Sequence, residues 1–520
     1  MKNKEKVKTV QSTNRVIPKK EYWMFATAGL GQGMIYAVMS SYVSDFYTNV
    51  LQLPLMFVLL LMLLARVWDA INDPLMGVIV DKHTTRWGKM KPYIVFTAVP
   101  IAVLTFLMFY CPDLSSTKLM IYAAFVYVIW GMTYTISDVP FWSMPNVMTP
   151  DPDERASVIS TGRTLNGVGT AVPQILFLIL GFVLPGIITK FKPDVAPIDV
   201  DKSKYMVIAI LCSVIGIILF LNAYFGVKER VIIPKKEKKD KNGKKEKSAL
   251  GRIFSCKPLM LVVIMGVLSS GRYMIQVAAP HVARYAFYIG PTLTDSMSIE
   301  EKTKCIQSSI STVSSVIAAC AAIGMFGAML FMPIILKHFN YKQIVIRSCF
   351  GGFIASIFTT VLGIISIKTG NNKLFFACIP FITISSIPLG ILNIVAYAMI
   401  GDSLDYMEWK TGFRDTALGS ACQSFVNKLG NALATSGIIL MYILIHLDPA
   451  EMLSKDVIMA ATAVPTMQRL AMFGLVSIVP GISILLCAVP IFFYDLVGEK
   501  RDKITAELAE KRAALGIKTD

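Results

Sequence analysis

Three carboxylates stand inside stretches that are otherwise apolar, and their spacing says what they can do. In LLARVWDAINDPLMG, Asp69 and Asp73 are four residues apart. On a helix they differ by about 40° and project from one face, with Arg66 a turn earlier. Two desolvated carboxylates on one face repel, so the pair calls for a cation between them. Na⁺, Li⁺ or a proton suits it, because hard cations take oxygen ligands. The alternative is an Arg66–Asp69 ion pair with Asp73 capping the helix near Pro74. In WGMTYTISDVPFWSMPNV, Thr135, Asp138 and Trp142 fall at i, i+3 and i+7, which lines up a hydroxyl, a carboxylate and an indole. Carboxylates accept paired sugar hydroxyls and an aromatic plane stacks on the C–H face of a sugar ring; a Trp142 that merely sits at the membrane interface is the alternative. Lys428, in SFVNKLGNA, is a bare ammonium in an apolar run and demands a carboxylate partner. Arg163, in TGRTLNG, is read as a substrate contact or an interfacial anchor. Arg272 and Arg284, in SSGRYMIQVAAPHVARYAF, divide between an anionic substrate and a salt bridge across a helix bundle. His83, His281, His338 and His446 show no metal-ligand spacing and receive no role.

The elements that position these groups are membrane helices. Only 16% of the 520 residues are charged and 54% are hydrophobic, against roughly 25% charged in soluble domains. A water-soluble enzyme, a disordered chain and a disulfide scaffold are excluded by that balance; the nine cysteines are scattered, with no C-x-x-C pair. A spanning helix needs about 20 apolar residues for about 30 Å of hydrocarbon. Segments of that size occur near 24–50, 55–80, 92–111, 118–148, 157–189, 204–227, 257–290, 306–336, 343–368, 373–403, 417–446 and 468–497. The first follows a charged arm with no cleavage pattern and is read as a retained span.

Lysine and arginine cluster in the arm before the first span, in DKHTTRWGKMK after the second, in KKEKKDKNGKKEK after the sixth and in the tail. With twelve spans these all lie on one side, which is then the cytoplasm. The net charge of +17 is thus a matter of topology: the lysine clusters lack interleaved aromatic residues, so nucleic-acid binding is not expected, whereas contact with anionic lipid is. The divisions expected are a cytoplasmic arm (1–21), a six-helix bundle (22–227), a basic linker (228–250), a second six-helix bundle (251–497) and a cytoplasmic tail (498–520). IVDKHTTRWGKMKPYIV and ILKHFNYKQIVI sit at equivalent places in the two halves. The fold class expected is an all-α membrane protein, twelve transmembrane helices in two six-helix bundles, the architecture of the major facilitator transporters, with the substrate between the halves near mid-membrane. G-x-x-x-x-G-K-[ST], G-x-S-x-G and H-E-x-x-H are absent, so no enzyme is expected and uphill transport would draw on an ion gradient.

The stretch YVSDFYTNV, then ARVWDAINDPLMGVIVDKHTTRWGKMKPYI, WGMTYTISDVPFWS, and GDSLDYMEWKTGFRD followed by SFVNKLGNA resembles the glycoside-pentoside-hexuronide:cation symporter family, in order from residue 23 to about 435. The resemblance implies sugar symport coupled to Na⁺, Li⁺ or H⁺, with no other cofactor, in a plasma (inner) membrane carrier that works as a monomer. By it, Asp69 and Asp73 match the cation-binding carboxylates, with Asn72 and Thr135 beside them; Asp138, Trp142 and Arg163 match sugar-contacting positions; and Lys428 matches a lysine in the eleventh span, in a charge network with Arg66. One departure stands out. Gly33, in LGQGMIY, occupies the place of a first-span acid that holds sugar hydroxyls in melibiose-carrying members, and losing charge-assisted hydrogen bonds of about 1.5–3 kcal/mol each changes sugar preference. Gln32 is the nearest substitute. Asn393 stands where those members have a tryptophan, and Arg272 leans toward an acidic sugar. The rivals are a carrier of lysolipids and a sugar sensor that does not transport.

Overall fold

The computed structural model describes residues 17–82, 85, 87–149, 152–191, 197–230, 255–294, 296–336, 338–411, 416–449, 453–454, 457–458 and 461–514. Most of the basic arm and linker, His83 and the side chain of Arg66 lie outside the described residues. Backbone amides in hydrocarbon meet no water, so the apolar segments fold as helices that close their hydrogen bonds internally. The first six passages are α1 (Lys19–Asp45), α2 (Leu55–Lys82), α3 (Lys91–Met108), α4 (Ser116–Ser143), α5 (Pro152–Phe191) and α6 (Pro197–Phe220). The second six are α7 (Lys257–Leu268), α8 (Ile299–Ile335), α9 (Tyr341–Thr369), α10 (Ile387–Thr411), α11 (Thr416–Leu444) and α12 (Ile478–Phe492). α7 runs on through a 3-10 turn at Ser269–Tyr273 into Ala279–Tyr285, and a tail helix, α13 (Glu499–Ala514), ends the described chain. By length and composition, nine helices among the described residues can cross a membrane. The fold is two six-helix bundles of the major facilitator type.

Helix ends at the basic loops are tied by charge. Glu229, just after the first bundle, accepts from the backbone amides of Lys89, Met90 and Lys91 at 2.7, 2.9 and 3.1 Å, so a carboxylate satisfies the open N–H groups at the start of α3. Gly88, at φ +116°, is the neighbour that lets it approach: a Cβ there would stand 2.6 Å from Glu229 Oε1. Arg230 pairs with Glu21 at the foot of α1 at 2.7 Å.

The apolar core is asymmetric between the two ends. Away from the basic loops one continuous cluster joins the bundles, from Val38, Tyr42 and Phe46 on α1 to Ile275 and Phe287 after α7 and Ile438 on α11. Toward the basic loops it divides: Phe25, Met76, Ile94 and Phe141 pack within the first bundle, and Leu259, Val345, Leu392 and Ile484 within the second. The bundles are therefore sealed together at one end and separate at the other. α2 crosses to α11 and α5 to α8 along the junction.

Candidate functional site

The junction places the acidic pair of α2 against α4 and α11. Asp69 and Asn72 are buried and Asp73 is half-buried. Thr135 Oγ1 on α4 donates to Asp73 Oδ1 at 3.2 Å, and the other Asp73 oxygen receives the Lys428 ammonium from α11 in the opposite bundle. A small cavity beside Asp69, lined by Ala65, Trp68, Tyr127, Trp130 and Gly131, has room for about one water-sized body. Among the described residues no group of three or more His, Cys, Asp and Glu is placed to hold a metal. The oxygens on hand are two carboxylates, an amide and a hydroxyl, a set for a single hard cation.

Nearer the basic end, α1, α4 and α5 converge on Asp138. Gln32 Nε2 donates to Asp138 Oδ1 at 2.7 Å. Asn166 Nδ2 on α5 holds Gln32 through its Oε1 at 3.4 Å and bonds Gly29 O at 3.1 Å. The guanidinium of Arg163, an exposed residue, lies 3.6 Å from the centre of the Trp142 ring, a cation–π contact, while Phe25 and Phe141 meet the indole edge-on. Gly33 faces the neighbouring helix: a Cβ there would lie 2.1 Å from the Asn166 carbonyl oxygen. Backbone of α5 fills the space a first-helix acid would need, and Gln32 alone presents α1's polar group to Asp138.

The second bundle contributes a wall of amides and phenols. Asn431 Nδ2 reaches Tyr36 OH on α1 at 3.4 Å; Asn427 Nδ2 donates to Tyr397 OH at 3.4 Å and its Oδ1 accepts from Tyr273 OH at 3.3 Å. Arg272, 1% exposed, donates from Nη2 to Tyr273 OH at 2.8 Å. Its Nε and Nη1 have no hydrogen-bond partner among the described residues. Asn393 lies 4.0 Å from the Met325 sulfur.

The model of the family described as MFS/sugar transport protein matches residues 24–290 and 311–498. The chain belongs to this family. Within it, the chain is 28% identical over 82% of its length to the uncharacterised symporter YjmB of Bacillus subtilis, covering 84% of that protein. It is 25% identical to the putative glycoside/cation symporter YagG of Escherichia coli, over 94% of this chain and 95% of that one. It is 22% identical to the isoprimeverose transporter of Lactiplantibacillus pentosus, over 84% of each. Solved structures share the fold: the xylose transporter XylE of E. coli at TM-score 0.53 and 11% identity, covering 94% of this chain and 98% of that one, and the nucleoside transporter NupG at 0.56 and 12%, covering 91% and 100%. The chain is a membrane transporter of the sugar-transport family.

Most of the residues singled out in the sequence on α1, α2, α4, α5 and α11 fall into two adjoining clusters, and Arg284 lies apart from them. Asp69, Asn72, Asp73, Thr135 and Lys428 come together, and Gln32, Asp138, Trp142 and Arg163 form a second cluster beside them. Arg272 and Arg284 part company: Arg284 is paired with carboxylates, whereas Arg272 bonds a phenol. His281, given no role, is fully buried and shares hydrogen bonds with Ser44 Oγ at 3.2 Å and Tyr442 OH at 2.8 Å. Tyr36, Asn166, Tyr273, Tyr397, Asn427 and Asn431 were not singled out. Asn427 and Asn431 carry the one signal that would find them, since they flank Lys428 at positions −1 and +3 of the same helix.

Proposed function

We propose that this carrier imports a sugar or glycoside together with Na⁺, Li⁺ or H⁺ by alternating access, from an inner membrane with its basic loops in the cytoplasm. The observation that carries the reading is the bond between Asp73 and Lys428. It joins the two bundles at the acidic pair, so the ammonium holds the place of the coupling ion while the carrier is empty. A cation entering between Asp69 and Asp73, with Asn72 and Thr135 as neutral oxygen ligands, competes with Lys428 for Asp73 and releases it. Asp138, held by Gln32, then accepts sugar hydroxyls, with Trp142 as the stacking surface and Arg163 the group that must swing aside or bond the sugar. Asn393, Asn427 and Asn431 offer the opposite wall, and Arg272 fixes the Tyr273–Asn427 chain. The relatives support sugar cargo: their names include glycoside, isoprimeverose and, in Salmonella typhimurium, a putative sulfoquinovose importer. Both an anionic and a neutral sugar fit a site whose exposed cation, Arg163, stands over the indole.

Tracer uptake into vesicles, with and without an imposed Na⁺, Li⁺ or proton gradient and with unlabelled glycosides as competitors, tests this directly. Asp73→Asn should lose ion-stimulated uptake by about a hundredfold while binding of the sugar persists. Undiminished ion stimulation in that variant, or competition by lysolipid and by no sugar, would remove the assignment.

A further inference from the structure

The transport reading leaves a group of buried charges unused, at the end away from the basic loops. Asp45, at the last turn of α1, is fully buried and receives Arg284 from the second bundle through Nε at 3.1 and 3.3 Å and through Nη2 at 3.1 Å. The same guanidinium donates from Nη1 to Asp201 on α6 at 2.8 Å. Lys204, one turn on, pairs with Asp201 at 2.9 Å and crosses to Gln307 of α8 at 3.0 Å. Tyr205 OH also bonds Asp45. A five-residue π-turn, Phe46–Val50, follows α1. It aims Asn49 across the junction, where it accepts from Tyr285 OH at 2.5 Å and meets His281 and Tyr442.

The arithmetic of charge gives this cluster its meaning. Joined, two carboxylates face one guanidinium and one ammonium, and the sum is zero. Apart, the first bundle keeps Asp45, Asp201 and Lys204 with a net −1, and the second keeps Arg284 with +1. Charges that are matched only when the bundles meet favour the closed end strongly and the open end only once water replaces the lost partner. The cluster also sits on the stretch of core that is continuous between bundles, where separation would wet both surfaces. Three of its helices reach the central site: α1 carries Gln32, the α7 passage carries Tyr273, and α11 carries both Lys428 and Tyr442.

We propose that the ion cluster centred on Asp45 and Arg284 is a releasable latch that keeps the far end of the carrier shut, so that its breaking is the step that opens that end. The inference rests on the alternating-access reading above but is measured without transport. Spin labels on Ser115→Cys, between α3 and α4, and Lys373→Cys, between α9 and α10, report the separation of the bundles at that end by double electron-electron resonance, in protein whose nine native cysteines are replaced. Arg284→Gln and Asp45→Asn should each raise the long-distance population by about ten-fold. Asp199→Asn, which breaks an exposed pair with Lys202 on the same helix as Asp201, should leave it unchanged. If Arg284→Gln fails to reach the membrane, Asp45→Asn and Lys204→Gln carry the test. A distance distribution in Asp45→Asn that matches the parent overturns the latch, whatever the uptake assays give; a shift in distance supports it whichever cargo the carrier takes.

Discussion

At the scale of single residues, the acids were legible in the sequence and their partners were not. A carboxylate in an apolar run stands out because hydrocarbon penalises it, so Asp69, Asp73 and Asp138 needed no structure to be noticed. Lys428 announced its need for a carboxylate in the same way, but that the carboxylate is Asp73 depends on helix packing over 355 positions of sequence. Asp45 and Asp201 lay near span ends, where charge is ordinary; Arg284 stood out in its apolar segment with a salt bridge across the bundle as one of two readings, and the fold supplies its partners. Gly33 is the residue whose surroundings change its interpretation. The missing acid is not a simple vacancy, since α5 backbone now occupies the space. Gly33→Asp should therefore fail to restore an acidic sugar contact. It should lower the thermal midpoint of the purified carrier by several degrees, as overpacking costs about 1–3 kcal/mol. Gln32→Ala leaves the backbone undisturbed and removes a hydrogen bond to a carboxylate, so it should raise the sugar KM about ten-fold with little change in melting. Melting curves and uptake kinetics of the two variants separate space from chemistry.

At the scale of elements, hydropathy alone placed all twelve passages, because a helix of the right length is the main way to bury a chain in lipid. It did not show the breaks. The 3-10 turn that interrupts α7 and the π-turn after α1 depend on neighbours that no periodicity reveals. The tail is another element whose place comes from contacts. α13 lies along the C-terminal end of α10, burying Ile504 and Leu508, with Trp409 Nε1 donating to Glu507 Oε2 at 2.6 Å and Arg501 meeting Asp402 at 2.8 Å. Two apolar side chains are worth roughly 1.5–3 kcal/mol each when buried. Removing residues 499–520 should thus lower the melting temperature by a few degrees, measured on purified protein, while sugar binding in the central site stays within two-fold, about 0.4 kcal/mol.

At the scale of the whole molecule, the two polar clusters share α4, so on the proposed reading a cation in one and a sugar in the other must feel each other. If a saturating cation raises sugar affinity by some factor, saturating sugar must raise cation affinity by the same factor. Calorimetric titration of each ligand at fixed levels of the other should return factors that agree, and a mismatch beyond error would mean that the two do not bind one state of the carrier. A further consequence comes from the seam between α1 and α5. Gly29 and Gly33 bring the two backbones into direct touch, with a Cβ at either position 2.6 or 2.1 Å from a carbonyl oxygen of α5. No side chain stands between them to yield, so α1 behaves as a stiff rod clamped at its middle. Gln32 and Asp45 are 13 residues apart on that rod, roughly 20 Å of rise. A small tilt at Gln32 becomes a larger sideways throw at Asp45, and leverage of that kind needs no relay of rearranging side chains along the way.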